Sequence, residues 1–152
     1  GTMRLKTKYF GEIECPEEDI IHFPEGLFGF EEEKAFFLLP FEGGEDTLLC
    51  FQSAVTPGLA FVAMDPFSLK PDYAPKLTPR ELRQMGAERS EDLCFYTLCV
   101  VRNPVGDSTV NLRCPVVIND RTRQAVQVIL EEGGYEMHHL LSQFGRKEEE
   151  SC

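Results

Sequence analysis

The sequence predicts a mainly β protein, a compact β-barrel-like single domain with one or two short helices. Three observations lead to this prediction. The chain has 152 residues, the length of one domain. About eight or nine short apolar or alternating segments are separated by turn residues, which is typical of a small barrel or a sheet folded on itself. One segment alone carries both the start and the stop signals of a helix.

The first strands of the chain are short and polar on one face. Residues 4–9 alternate charged with apolar or β-branched side chains, the pattern of a half-buried strand. Gly11 then permits a turn into a second segment. Residues 19–23 form another short strand, which Pro24 and Gly26 are expected to stop.

The next segments are more apolar and are separated by clear turns. The run 34–39 ends at a proline, and the polar turn 42–46 joins it to residues 47–52, its expected hairpin partner. A Pro-Gly turn leads into the apolar run 59–64. We therefore expect three neighbouring antiparallel strands here.

Residues 78–86 differ from the rest because they carry helix signals. Thr78 is an N-cap residue, Pro79 occupies the first helical position and Glu81 stands three residues after the cap. Gly86 is placed at the exit. The spacing predicts a short helix that begins with a capping box.

The last third of the chain returns to strand patterns. Residues 93–101 are apolar on both faces, as in a central or barrel strand, and residues 109–114 alternate without a fault. After Pro115, residues 116–118 continue the ladder and an Asn-Asp turn follows. Residues 124–130 form the predicted closing strand.

The charge of the chain restricts the class of partner. Fifteen Lys and Arg against twenty-six Asp and Glu give a net charge of −11. Binding to duplex nucleic acid or to an anionic membrane depends on cations, so both are disfavoured and direct nucleic-acid binding is not expected. A basic protein partner is favoured because a negative surface attracts it.

The termini and the apolar runs indicate compartment and domain limits. Gly1-Thr2 before Met3 is typical of a remnant of tag removal, so the domain is expected to span residues 3–144, followed by a mobile tail at 145–152. No apolar run is long enough for a bilayer span, and no signal-peptide pattern is present, so a cytoplasmic location is expected. Four cysteines in apolar runs are expected to be buried free thiols: Cys50, Cys94, Cys99 and Cys114.

Candidate catalytic residues are few, and an enzyme is the weaker hypothesis. Neither a nucleophile-elbow nor a Walker-A pattern occurs. Asp65 and Asp72 lie among prolines and aromatics, where turn capping is the more common role than acid–base chemistry. His138 and His139 have no ligand at a metal-binding spacing, so we expect no metal or cofactor.

An acidic segment between Gly11 and Glu33 holds nine carboxylates and no Lys or Arg. It is compatible with a solvated face that keeps the protein soluble. Apolar residues inserted among the charges also suggest a protein interface, although the same residues are compatible with the core: Phe23, Leu27, Phe28 and Phe30.

Several motifs in a fixed order resemble the family of the flagellar assembly factor FliW. The resemblance covers about residues 3–141, nearly the whole chain. The motifs are Phe10-Gly11-Glu12-Ile13, Phe23-Pro24-Glu25-Gly26-Leu27-Phe28-Gly29-Phe30-Glu31, Leu59-Ala60-Phe61-Val62, Asp65-Pro66-Phe67, Pro71-Asp72-Tyr73, Thr109-Val110-Asn111-Leu112 and Pro115-Val116-Val117-Ile118-Asn119.

The resemblance implies a non-enzymatic bacterial protein with a β-barrel-like fold and two protein partners. Such proteins bind newly made flagellin and the small basic RNA-binding regulator CsrA. When flagellin is scarce, the factor keeps CsrA from repressing flagellin translation. Accumulated flagellin occupies the factor and releases CsrA.

We expect an apolar groove for an amphipathic segment of flagellin, formed with Leu27, Phe28, Phe67 and Tyr73 and rimmed by Glu31, Glu32 and Asp72. The acidic segment from Glu12 to Glu33 is expected to attract the cationic regulator. Nine residues of the two aromatic loops are the candidates: Glu25, Leu27, Phe28, Glu31, Glu32, Asp65, Phe67, Asp72 and Tyr73.

The chain departs from the family pattern near its C-terminus. The family usually closes with a basic residue and His-Pro-Leu after a Tyr, whereas Tyr135 here leads to Met137-His138-His139-Leu140-Leu141. Without that proline, residues 136–144 are expected to form a short amphipathic helix. Two alternatives stay open at this point: a β-barrel adaptor for another basic protein, and a metal-dependent hydrolase.

Overall fold

The computed structural model describes residues 1–41 and 48–144. The predicted mobile tail at 145–152 and the predicted turn at 42–46 lie outside these ranges. The described strands are β1 (Thr2–Lys6), β2 (Glu12–Pro16), β3 (Ile21–His22), β4 (Ala35–Pro40), β5 (Leu48–Ser53), β6 (Ala60–Met64), β7 (Cys94–Val100), β8 (Thr109–Val110), β9 (Val116–Asn119), β10 (Gln124–Gln127) and β11 (His139–Leu140). The helices are α1 (Pro66–Leu69) and α2 (Pro79–Gln84), with 3-10 turns at Glu17–Asp19, Ser90–Asp92 and Val105–Asp107.

Seven of these strands close into a barrel. Antiparallel pairs join β3, β4, β5, β6 and β7 in sequence order. β7 pairs with β8 and also with β9. The β9–β10 hairpin follows, and β10 returns to β3 through a parallel contact between Gln124 and His22. Each of these seven strands pairs with a neighbour on both sides, and the prediction of a mainly β, barrel-like fold is confirmed.

Strand alternation divides the apolar residues between the inside and the outside of the barrel. The interior cluster takes residues from all seven strands and includes Phe36, Phe51 and Val116, which are fully buried. The neighbours Phe37 and Val117 point outward and are also buried. The outer face of the barrel must therefore be covered in at least two places.

Two separate layers provide that cover. The hairpin of β1 and β2 packs Leu5 and Cys15 against Phe37. On another side, both helices and the C-terminal loops pack on the outer face of β7 and β9, where Leu82 lies against the cluster that contains Phe95. This second layer is where the loops of functional interest are attached.

The local predictions agree with the structure where the sequence signal is short-range. β4 and β5 form the expected hairpin pair, with Leu38 opposite Phe51. Helix α2 begins with the predicted capping box, in which the Thr78 hydroxyl accepts from the Glu81 N–H and the Glu81 carboxylate accepts from the Thr78 N–H. These features depend on neighbouring residues alone.

Two predicted elements near the end of the chain differ from the structure. The strand predicted at 109–114 is limited to β8, because the Asn111 carboxamide accepts from the Cys114 N–H at 2.9 Å and turns the chain. The helix predicted at 136–144 is wrong for its middle, since β11 pairs there with β8. The exposed backbone edge of β8 offers hydrogen bonds that a short isolated helix lacks.

Candidate functional site

The first candidate loop, residues 24–33, is shaped by a glycine. Gly26 has φ +66°, and a Cβ at this position would lie 2.5 Å from the Phe30 carbonyl oxygen. Only glycine permits both this conformation and this close approach. The Leu27 and Phe30 backbones then exchange two hydrogen bonds, which makes a tight turn with Phe28 at its tip.

This turn separates the apolar residues of the loop into core and surface. Phe23 and Leu27 are buried in the barrel interior, with 0% and 2% of their surface exposed. Phe28 and Phe30 are 50% and 41% exposed, and Phe30 packs edge-on against Phe61 with ring centroids 5.0 Å apart. Of these four apolar residues, two therefore belong to the core and two to the surface. Leu27 is in the core and offers almost no accessible surface.

Polar contacts fix the tip of the loop. The Phe28 N–H donates to Oε1 of Gln127 at 2.9 Å, and the Gly29 N–H donates to Oε2 of Glu31 at 2.9 Å. The Gly29 hydrogen bond is the main cause that lowers the pKa of the Glu31 carboxyl below its ordinary value. Glu31 and Glu32 are both exposed beside the tip.

The second candidate loop starts at Asp65 and is ordered by capping. The Asp65 carboxylate accepts from the Phe67 N–H at 2.9 Å and so begins α1, which has Pro66 at its first position. Phe67 remains 41% exposed, with its ring 5.6 Å from that of Tyr73 and 6.3 Å from that of Phe95. Asp65 thus has the turn-capping role that the sequence favours over acid–base chemistry.

Tyr73 fastens this loop to the body of the protein. It is buried, and its hydroxyl donates to the Leu112 carbonyl at 2.7 Å. Burial raises the pKa of Tyr73. The Tyr135 hydroxyl accepts from the Ala74 N–H at 2.9 Å, and the two tyrosine rings are 4.8 Å apart. Tyr73 therefore forms the base of the loop and, like Leu27, offers almost no surface.

A largely apolar groove of about 780 Å³ lies between this loop, α2 and the start of β7. Of the nine candidate residues, Phe67 and Tyr73 line it. The sequence did not single out several further lining residues: Pro75, Leu77, Leu82, Leu93 and Phe95. A signal for them existed, because an apolar outer face on β7 must be covered by something.

The structure does not unite the two loops into one groove with an acidic rim. None of the residues in the 24–33 loop lines the groove, so Glu31 and Glu32 are not on its rim. Asp72 forms an ion pair with Lys70 at 3.0 Å. The charged residues that do line the groove are Lys76, Arg89 and Glu91. The candidate residues, which were expected to form one surface, therefore lie on two separate surfaces.

The two surfaces are nevertheless connected through α2. The side-chain amide of Gln84, at the end of α2, donates to the Glu25 carboxylate at 2.6 Å. Leu82, two residues earlier on the same helix, lines the groove. One short helix therefore contacts both candidate regions.

Tertiary pairing neutralises part of the acidic segment. In the β1–β2 register, Arg4 lies opposite Glu14 and Lys6 opposite Glu12, and the Arg4 guanidinium also contacts the Glu12 carboxylate. Among residues 1–41 and 48–144, no ion pair reaches the exposed carboxylates that remain in the segment: Glu17, Glu18, Asp19, Glu25, Glu31 and Glu32. These remaining exposed carboxylates of the segment therefore start at the 3-10 turn Glu17–Asp19.

The described cysteines are free thiols, and His139 makes a local hydrogen bond to the backbone. Cys94 is exposed, contrary to the prediction that it is buried, because it occupies the first position of β7. All five cysteines in the described ranges are free thiols. Nε2 of His139 accepts from the Glu136 N–H at 2.9 Å. In the part of the chain that the structure describes, no group of three potential ligands is placed to hold a metal ion.

The described part of the chain is thus a small closed barrel with an apolar groove on the outer face of β7 and, on a separate surface, an exposed acidic loop. No helix in the described ranges is long and apolar enough to cross a bilayer. The family described as FliW protein matches residues 4–141, and the chain belongs to this family.

Individual relatives agree with that assignment. Proteins called flagellar assembly factor FliW from Geobacillus kaustophilus and Heliobacterium modesticaldum are 42% and 38% identical to this chain, each over 91% of its length. The alignments cover 95% and 90% of the two relatives. A crystal structure of the flagellar assembly factor FliW superposes with a TM-score of 0.84 at 40% identity, covering 91% of this chain and 96% of the other.

Proposed function

We propose that this protein is a non-enzymatic, cytoplasmic flagellar assembly factor that binds flagellin and antagonises the translational regulator CsrA. Free factor holds CsrA and allows flagellin translation, and accumulated flagellin displaces it. Membership of the FliW family supports the flagellar role, since the relatives carry that name. The observation that carries the proposal is the apolar groove beside α2.

The groove has the character that an amphipathic helical segment of flagellin requires. Phe67 is 41% exposed at its edge, while Leu77 and Leu93 form a buried floor. A helix of a partner that places apolar side chains at every third or fourth position buries them in such a groove. Asp65 and Tyr73 order the loop on one side of the groove, Asp65 by capping α1 and Tyr73 by its hydrogen bond to the Leu112 carbonyl.

The loop with Glu25, Phe28, Glu31 and Glu32 is the proposed contact for CsrA. Its carboxylates are exposed and Phe28 projects beside them. A basic partner is attracted by the charges, and the half-exposed ring supplies apolar contact at the centre. This assignment gives the two partners separate surfaces, with α2 between them.

A non-enzymatic role is supported by what the candidate catalytic residues do. Asp65 caps α1, and Asp72 pairs with Lys70. Each carboxylate is therefore engaged in a local structural contact rather than directed with the other at a shared cavity. The two hydroxyls among the groove-lining residues, those of Tyr73 and Ser90, are both engaged in hydrogen bonds with the backbone, to the Leu112 carbonyl and from the Leu77 N–H.

The test is isothermal titration of the full chain with flagellin and with CsrA from the same organism. We expect both to bind, and flagellin to displace CsrA. Phe67→Ala should weaken flagellin and spare CsrA, whereas the double variant Glu31→Lys/Glu32→Lys should do the reverse. Glu88→Lys, which reverses one exposed carboxylate in neither surface, is the control for a nonspecific charge effect. Absence of binding to both partners overturns the proposed function.

A further inference from the structure

A second cleft adjoins the groove on the other side of a short stretch of chain. It has a volume of about 350 Å³ and, like the groove, is lined by Lys76 and Leu77. Leu77 is buried, and its N–H donates to the Ser90 hydroxyl at 3.1 Å. The two depressions therefore meet at Lys76 and Leu77, and the Leu77 backbone is held in place.

Charge changes sign from one depression to the other. Three carboxylates line the cleft, those of Glu81, Glu131 and Glu132, against the single cation of Lys76. The groove contains Lys76 and Arg89 against one carboxylate, although Arg89 also contacts Asp92 at 3.4 Å. A partner segment that occupies both depressions therefore meets a weakly positive environment in the groove and a negative one in the cleft.

The cleft is ordered by the elements that form it. The Glu81 carboxylate is held by the capping box of α2, where it accepts from the Thr78 N–H at 2.8 Å. Ile129 also lines the cleft and is 45% exposed, although Val128 and Leu130 on either side of it are buried. The cleft therefore offers one apolar contact surrounded by negative charge.

We propose that groove and cleft form one docking surface with a defined polarity, for a partner segment whose apolar stretch is followed by Lys or Arg residues. The apolar side chains occupy the groove against Phe67 and Leu82. The basic residues lie beside Glu131 and Glu132, and their stems contact Ile129. This inference rests on the proposed function, in which the segment belongs to flagellin.

Charge complementarity supports this occupant over others. An acidic-ended segment would face three carboxylates in the cleft, and a purely apolar one would partly desolvate Glu131 and Glu132 without supplying a compensating charge. A basic end satisfies them and fixes the direction in which the segment lies. The cleft thereby adds specificity to a groove whose apolar lining alone is unselective.

The first experiment measures flagellin binding to the double variant Glu131→Lys/Glu132→Lys of the full chain. We expect an affinity about tenfold or more below wild type at low salt, with a smaller difference at high salt. The matched control is Glu17→Lys/Glu18→Lys, which reverses two adjacent exposed charges outside the groove and cleft. Equal affinities of the cleft variant and the wild type overturn the inference.

A second measurement separates this inference from the proposed function. Two synthetic amphipathic peptides share one apolar helical half and end in either three Lys or three Glu residues. The wild type should prefer the Lys-ended peptide, and the Glu131→Lys/Glu132→Lys variant should lose or reverse that preference. Flagellin that fails to bind while the peptide preference holds overturns the proposed function alone. Lack of a peptide preference overturns the polarity of the docking surface.

Discussion

The Gln127 side chain connects the barrel to the exposed Phe28. Its Oε1 accepts from the Phe28 N–H at 2.9 Å, and its Nε2 donates to the Cys114 carbonyl at 3.1 Å. Gln127 is 8% exposed, at the end of β10 and 99 residues away from Phe28 in the chain. A buried amide thus sets the position of a surface aromatic.

Replacing Gln127 with Leu should destabilise the fold and loosen this loop. Both backbone groups lose their partner, and an unsatisfied buried group costs about 1–3 kcal/mol. We expect the free energy of unfolding to fall by about 2 kcal/mol in urea titrations. The control Gln124→Leu changes an exposed residue of the same strand. Equal stability of the two variants would show that the amide contacts contribute nothing.

Alanine at Phe28, Phe67 and Leu27 should separate surface from core. Phe28 and Phe67 are about half exposed, so their replacement should cost at most about 1 kcal/mol of stability while weakening partner binding. Leu27 is fully buried, and Leu27→Ala should cost about 2–5 kcal/mol. Thermal unfolding followed by circular dichroism checks this order. A large loss of stability in Phe67→Ala would place Phe67 in the core instead.

Removal of the Tyr73 hydroxyl should make the second candidate loop more mobile while the packing of the ring is kept. Tyr73→Phe keeps both ring contacts but leaves the Leu112 carbonyl without its 2.7 Å hydrogen bond. We expect a loss of about 1–2 kcal/mol in stability and faster amide hydrogen exchange at residues 70–76. Unchanged exchange in that segment would contradict the fastening role of this hydroxyl.

Stability should fall in alkaline solution because buried thiols resist ionisation. Burial raises the pKa of Cys50 from an ordinary value of 9.0 to about 11. Above pH 9 the unfolded chain releases this proton and the folded chain keeps it, so the free energy of unfolding decreases with rising pH. At pH 10 the raised pKa of Cys50 lowers the free energy of unfolding by about 1 kcal/mol. Urea titrations of Cys50→Ala against wild type at pH 8 and pH 10 measure it, and an identical pH dependence in both proteins would refute it.

Local chemistry explains which elements were predictable. The capping box of Thr78 and Glu81, and the hairpin of β4 and β5, depend on residues close in sequence. The alternation at 109–114 was equally regular, yet it ends after two strand residues because Asn111 closes a turn on Cys114. Side-chain competition with the backbone is invisible to a hydrophobic pattern.

The candidate site shows the same division. The sequence predicts Phe28 and Phe67 as partner-binding aromatics, and both are about half exposed. Leu27 and Tyr73 came from the same loops and the same residue classes, but their positions in the turn and beneath the loop bury them. Leu82, Leu93 and Phe95 line the groove although no motif marks them. Their role arises from the packing of α2 on β7.

The sequence by itself determined the mainly β class, the position of the main helix, the family resemblance and the net negative charge, because these depend on composition, period and short-range spacing. Only the tertiary structure decided the closure of the barrel, since the contact of β10 with β3 joins residues about a hundred positions apart. It also decided where charge remains, because strand register sets Arg4 and Lys6 against Glu14 and Glu12. Burial and pairing are properties of neighbours in space, which a sequence pattern does not specify.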